Sequence, residues 1–172
     1  NCQTEEERIR TAELIRPILR GRDVKRYGYD WAGLWLINTH NGLKNKGIKP
    51  VDINDYPAIK EWLDNGGIAY SGKMYKGFSQ IEKRSDRGDT PYNLRNCAYM
   101  EDFSKPKIVW GEISDKSKFA FDFLGEYIPE ATSFYMKGEY IEYLLSALNS
   151  SVSEWLFSKV GTTTGVGTIR WK

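Results

Sequence analysis

Ile15-Arg16-Pro17-Ile18-Leu19-Arg20-Gly21-Arg22-Asp23-Val24-Lys25-Arg26-Tyr27 packs a dense run of cations around one proline and one glycine inside a largely apolar frame. Guanidinium groups grip phosphates and guanine edges in a fork geometry, and a glycine lets the backbone come close. A solvated turn between two elements has the same composition, and chemistry alone leaves both readings open.

Working outward from this run, Thr4 and Glu7 have capping-box spacing and acids fill the first turn. Together they predict a helix from about Glu5 toward Ile15, ended by Pro17 and Gly21. Trp31 through Ile37 is rich in β-formers and predicts a strand closed by the Asn41-Gly42 turn signal. Lys44 to Val51 reads as loop. Asn54 or Asp55 can then cap a short helix with Pro57 in its first turn, Ile59 and Leu63 on one face, and Gly66 as its stop. Lys105 to Ile113, Phe119 to Phe123 and Thr132 to Met136 are short aromatic or β-branched runs, expected as neighbouring strands. From Glu139 to Lys159 one helix is expected, with Ile141, Leu144, Leu145, Leu148, Val152 and Trp155 on a single apolar face packed against that sheet. The fold class is α+β, a mostly antiparallel sheet with packed helices, and 172 residues suffice for one domain with a sizeable core.

Basic and acidic residues number 25 and 23, so the net charge is only +2 and any affinity for nucleic acid must come from segregated charge. Segregation is visible. Arg8, Arg10, Arg16, Arg20, Arg22, Lys25 and Arg26 crowd the first quarter, with smaller groups at Lys44/Lys46/Lys49, Lys83/Arg84/Arg87 and Lys116/Lys118. Acids gather at Glu5 to Glu7, Asp52 to Asp64 and Asp122 to Glu142. Cys2 and Cys97 are too few to staple the fold, and no Cys/His spacing fits zinc, which makes a reducing, cytoplasmic home the default expectation. Neither a membrane span nor a signal peptide is expected from the hydropathy pattern.

Four motifs in order, the basic run, Glu82-Lys83-Arg84, Phe103-Ser104-Lys105-Pro106-Lys107-Ile108-Val109-Trp110 and Tyr143-Leu144-Leu145-Ser146-Ala147-Leu148-Asn149-Ser150, resemble the TaqI-like C-terminal specificity domain. That family is the DNA target-recognition module of adenine-N6 methyltransferases and of fused type II restriction-modification enzymes. The resemblance runs from about Ile15 to the end of the chain. Two departures stand out. Asn65-Gly66-Gly67 through Gln80 is a Gly/Tyr-rich spacer where relatives often carry a longer helical stretch, and Arg170-Trp171-Lys172 lacks the apolar strand that usually follows. With no initiator Met, the sequence reads as a piece of a longer methyltransferase or restriction-modification protein.

The resemblance implies a non-catalytic domain, 1–172, that binds double-stranded DNA and presents it to a separate methyltransferase domain, possibly fused to an endonuclease. S-adenosylmethionine would bind that other domain, since neither its glycine-rich turn nor an Asn/Asp-Pro-Pro-Tyr/Phe motif occurs here. Arg20, Arg22, Lys25, Arg26, Lys83, Arg84, Arg170 and the Thr162, Thr163, Thr164 loop are the expected DNA contacts, most of them to phosphates, with Asp23 a structural partner of its neighbouring arginines. Tyr27, Tyr29, Trp31, Tyr70, Tyr75 and Tyr92 lie beside cations or glycines and can stack on bases, although core packing accounts for most of them. Tyr92 is the exception, set near a basic loop by Lys83-Arg84 and Asp89-Thr90-Pro91.

Catalytic chemistry is hard to place. His40, the sole histidine, reads as a loop residue. Glu112 and Asp115 near Lys116 would be needed for a magnesium-dependent phosphodiesterase, but the acid-x-Lys triplet and its preceding Asp are missing. Gly161 to Thr168 follows a helix and lacks a GK[ST] ending, and Ser71-Gly72-Lys73 fails the same test, so neither is a nucleotide loop. The first suits backbone and hydroxyl contacts to phosphates, or a flexible linker, equally well. A single-stranded nucleic-acid or protein-interaction module is the remaining alternative.

Overall fold

A computed structural model of the chain describes residues 2–68, 72–164 and 168–171. Tyr70, Ser71 and Gly165-Val166-Gly167 lie outside the described residues. In chain order the elements are α1 (Glu5–Leu14), β1 (Ile15–Leu19), β2 (Val24–Lys25), β3 (Gly28–Tyr29), β4 (Trp35–Ile37), α2 (Pro57–Asn65), β5 (Gly67–Ile68), β6 (Met74–Tyr75) and α3 (Phe78–Ile81). There follow β7 (Lys107–Gly111), β8 (Ile113–Ser114), β9 (Phe119–Asp122), β10 (Ile128–Pro129), β11 (Ser133–Met136), α4 (Ile141–Leu148), α5 (Ser151–Val160) and β12 (Ile169–Arg170). Helices and several small, mostly antiparallel sheets, with β1 running parallel to β10, make the fold α+β. Two compact units divide the chain, one of residues 1–16 and 35–99, the other of residues 17–34 and 100–172.

In the first unit the Thr4 hydroxyl accepts from Glu7 N at 3.1 Å, which starts α1 where the capping spacing predicts. Arg16 precedes a proline and cannot stay helical, so the helix stops at Leu14. Helix α2 begins at Pro57 as expected, but neither Asn54 nor Asp55 caps it. Tyr56 holds the cap position without a side-chain bond, and the free Ala58 N–H is taken by Glu7 Oε1 from α1 at 3.1 Å. Leu14, Ile53 and Ile59 form the core of this unit, with Ile37, Leu63 and Tyr92 packed around them. Buried Asn93 ties the loops together: its amide donates to Val51 O at 2.9 Å while its carbonyl accepts from the Thr90 hydroxyl. The Asn41-Gly42 turn forms, with Gly42 at φ +71° against the Ile48 carbonyl.

The expected strand over Trp31–Ile37 is realised only as β4. Gly33 adopts the left-handed region at φ +69°, which breaks the extended run. Trp31 instead packs in the second unit, its indole N–H donating to Ile18 O at 3.1 Å.

The second unit is built on β11–β7–β9, an antiparallel sheet with Val109 opposite Ala120 and Ile108 opposite Phe121. Because strand neighbours alternate between faces, Val109 enters one cluster with Leu19, Val24 and Ala120, while Ile108 enters a second with Phe119, Ile141 and Trp171. The sheet is therefore covered on both sides. Gly21, in the 3-10 turn before β2, lies against β7 so closely that a Cβ there would stand 2.8 Å from Gly111 Cα and from Thr132 O. The close approach that the glycine permits is thus to the protein's own sheet.

The single helix expected from Glu139 to Lys159 is two. Asn149 is fully buried, and its amide donates to Phe119 O at 2.8 Å while its carbonyl accepts from Phe119 N at 3.1 Å. This side chain completes the edge of β9 in place of another strand, and Ser150 then caps α5 by accepting from Ser153 N at 3.2 Å. Ile141, Leu145 and Leu148 pack on the sheet as expected, but past the break Val152 and Trp155 are exposed.

Replacing Gly21 with Ala should destabilise the chain by about 1–3 kcal/mol, since backbone and not a flexible side chain must give way. Thermal unfolding should show a clearly lowered midpoint. Asn149→Ala leaves the Phe119 N–H unsatisfied and its carbonyl with Tyr27 N as its remaining donor, and should cost about 1–3 kcal/mol, read from denaturant titration with an unchanged slope.

Candidate nucleic-acid interface

In the second unit the basic run becomes a 3-10 turn followed by the β2–β3 hairpin, in which Val24 pairs with Tyr29 and Lys25 with Gly28. Arg20 grips Asp23 with two parallel bonds, Nε to Oδ2 at 2.9 Å and a terminal nitrogen to Oδ1 at 2.8 Å. Burial alone would raise the Asp23 carboxyl, but the Arg20 guanidinium and backbone N–H hold it below the usual carboxylate range. Asp23 thus partners Arg20 as expected, and Arg20 is committed to the turn.

The following cations differ. Arg22 is exposed and makes no ion pair among the described residues. Lys25 is exposed and stands 3.5 Å from an exposed Asp30, a contact of little energy in water. Arg26 donates to the carbonyl of Asn149, the residue that pins β9, and lies over the Tyr27 ring at 5.8 Å. Tyr27 itself, at φ +65°, is exposed at the hairpin tip, with its N–H donating to Phe119 O at 2.9 Å. Tyr29 and Trp31 are core: both pack edge-on to Tyr127, and burial together with the Tyr127 hydroxyl pushes the Tyr29 phenol up to about 12.

Thr162, Thr163 and Thr164 run antiparallel to Thr168–Arg170, with Arg170 N donating to Thr162 O and Thr164 N to Thr168 O, both at 3.0 Å. The described ends of this loop are therefore a paired ribbon. The hydroxyl-bearing Thr162 and Thr163 are exposed on it, and Arg170 is nearly half exposed at 3.6 Å from Glu112. Trp171 is buried behind it against Phe157 and Phe119. Glu112 faces Arg170, while Asp115 bonds Lys118, whose ammonium holds that carboxyl low. Among the described residues no three His, Cys, Asp or Glu side chains gather to hold a metal.

The other expected contacts belong to the first unit. Lys83 is exposed, and half-buried Arg84 reaches Asn93 O at 3.4 Å and Asp86 at 3.5 Å. Tyr92 is less available than its neighbours suggest. Its hydroxyl donates to Asp64 at 2.6 Å, Lys60 lies over its ring, and Phe78 packs beside it at 5.5 Å. Burial and the Asp64 carboxylate raise the Tyr92 phenol, while Lys60 lowers the Asp64 carboxyl. His40 is a loop residue whose Nδ1 accepts from Gly42 N, and burial lowers its pKa.

Sequence reasoning missed a groove in the first unit that draws Trp35, Trp62, Tyr75, Gln80 and Arg84 together with Tyr92. These aromatics lie between positions 35 and 92 and share no periodic signal. Tyr75 and Tyr92 were named from the sequence as rings able to stack on bases, but Trp35 and Trp62, which the structure leaves exposed beside them, were not.

No helix among the described residues is long and apolar enough to cross a membrane. No curated protein matches the chain. Residues 16–172 match the sequence model of the TaqI-like C-terminal specificity domain, a span that takes in the basic hairpin, the sheet and the Asn149 break. The chain belongs to that family, the DNA-recognition modules of restriction-modification enzymes.

Proposed function

We propose that the chain binds duplex DNA through the backbone and holds it for a separate adenine-N6 methyltransferase domain of the same parent protein, acting in the cytoplasm as one target-recognition module over 1–172. It carries no chemistry of its own, and S-adenosylmethionine belongs to the partner domain. The observation that carries this reading is the hairpin. Exposed Arg22, Lys25 and Arg26 stand on a turn fixed to the core by Arg20–Asp23 and by Asn149, so cations are presented to phosphates at little cost in ordering. Thr162, Thr163 and Arg170 add hydroxyls and a cation from the ribbon, and Lys83 with Arg84 supplies the first unit's contribution. A fused nuclease is not required by any of these contacts.

Binding to duplex should weaken steeply with salt, the log-log slope amounting to about −0.9 per phosphate contacted, which fluorescence anisotropy across a salt series will read. Arg22→Ala should lower affinity equally on cognate and random duplex and flatten that slope by ~1, with an unchanged unfolding midpoint. Arg20→Ala should behave differently. It strands buried Asp23 and should cost stability on the order of 1–3 kcal/mol. A loss confined to the cognate duplex in Arg22→Ala would make that residue a reader of guanine edges. Titrating the chain with S-adenosylmethionine should give no heat above dilution.

A further inference from the structure

The groove of the first unit includes Arg84, one of the two cations that this unit contributes to the backbone-binding reading, and sets it among aromatic rings. Its volume is about 360 Å³, within the lower part of the roughly 300–1,000 Å³ range of small-molecule sites. Four aromatic rings line it: Trp35, 56% exposed, Trp62, 39% exposed, Tyr75 and Tyr92. Surface this apolar is seldom left open to water on two tryptophans unless something covers it.

The platform is rigid. Trp62 and Tyr75 stack at 6.1 Å with planes 28° apart, and the Tyr75 hydroxyl donates to Leu63 O at 3.3 Å. Glycines make this arrangement possible. A Cβ on Gly66 would stand 2.1 Å from Tyr75 O, one on Gly77 would stand 2.1 Å from Asp64 O, and one on Gly67 would meet the Trp62 ring at 2.5 Å. Gly66, Gly67 and Gly77 are therefore what lets the two rings come together at the end of α2.

Polar groups at the same groove are Gln80, an amide that both donates and accepts, and Arg84, a guanidinium. The segment 72–87, which supplies Tyr75, Gln80 and Arg84 to the groove, also carries Lys73, Lys76, Lys83 and Arg87 against Glu82 and Asp86. An apolar protein side chain would have no use for that excess of positive charge beside it. A planar ring carrying a phosphate would use every part: stacking faces, an amide and guanidinium for its edge, and cations for its backbone.

We propose that this groove receives an unstacked nucleobase, displaced from the duplex, on the Trp35, Trp62 and Tyr75 rings. The inference rests on the DNA-binding reading and adds to it a site for a single extrahelical base. Gln80 and Arg84 meet the base edge, and Lys83 meets the adjoining phosphate.

The test compares a fully paired duplex with the same duplex carrying one unpaired 2-aminopurine. The bulged duplex should bind about tenfold more tightly at fixed salt, and its fluorescence should fall as the base stacks. Trp35→Ala, at a position more than half exposed, should remove both effects while leaving affinity for the paired duplex unchanged. Trp155→Ala, in the second unit, should preserve both. Equal affinity for the two duplexes with unquenched 2-aminopurine would overturn the proposal and leave backbone binding standing. If such a result came with self-association that Trp35→Ala abolishes, the groove would belong to protein. Failure to bind either duplex at low salt would remove the DNA reading and this inference together.

Discussion

Lys107 has no exposure to water, and its ammonium lies against Asp122, which is 2% exposed, directly across β7 and β9. Two charges taken out of water cost several kcal/mol each unless every polar atom is engaged. Here each is. The ammonium also donates to Phe103 O at 2.7 Å, and the carboxylate accepts from Glu126 N and Tyr127 N, both at 3.0 Å. Such a pair adds little net stability over an apolar one, but it permits only one register. Slipping β7 by one residue would strand both charges and would move Val109 and Ile108 to each other's faces. With the register set, Gly111 falls where Gly21 can meet it and Phe119 falls where Asn149 can close the edge.

The consequences run outward from that sheet to the surface. Gly21 against Gly111 fixes the 3-10 turn, Arg20 on Asp23 stiffens it, and Tyr27 N–H on Phe119 O anchors the hairpin tip. Phe119 is thus bound by Asn149 through both its backbone groups while its carbonyl also receives Tyr27. The motif Tyr143 to Ser150 and the basic run, more than a hundred residues apart, serve one local structure. In this chain the two are joined by a shared contact at the β9 edge.

Elements whose causes are local were legible in the sequence. Thr4 with Glu7, Pro57, and the runs at 107–111, 119–122 and 133–136 announced α1, α2 and the central sheet because caps, proline and alternation act within a few residues. What distant partners decide was hidden. Asn149 looks like an ordinary helix position until Phe119 is placed beside it, so one helix was expected where two form. Gly21 was read as an opening toward ligand because nothing in the run names Gly111 as its neighbour. Tyr92 drew attention from nearby cations, while its ties to Asp64, Lys60 and Phe78 come from other elements. The excursion of residues 17–34 into a different unit from residues 1–16 has no compositional boundary to mark it.

A net charge of +2 looks too small for a nucleic-acid ligand until internal pairing is subtracted. Lys107 is consumed by Asp122, Arg20 by Asp23, Lys60 by Asp64, Lys118 by Asp115, and Lys105 with Lys137 by Asp102. Arg8 is bound to Glu5 on α1. Those acids carry out structural work at the positions where they sit, and each removes a cation from any external role. Arg22 and Lys83, by contrast, are exposed and make no ion pair among the described residues, and Arg26 is held by a neutral carbonyl that leaves its charge unbalanced. A phosphate responds to the field within about 10 Å at ordinary ionic strength and not to the protein's total charge. Residues 20–30 set Arg20, Arg22, Lys25 and Arg26 against Asp23 and Asp30, and residues 82–87 set Lys83, Arg84 and Arg87 against Glu82 and Asp86, so each segment carries a positive excess that the net charge of the whole chain conceals.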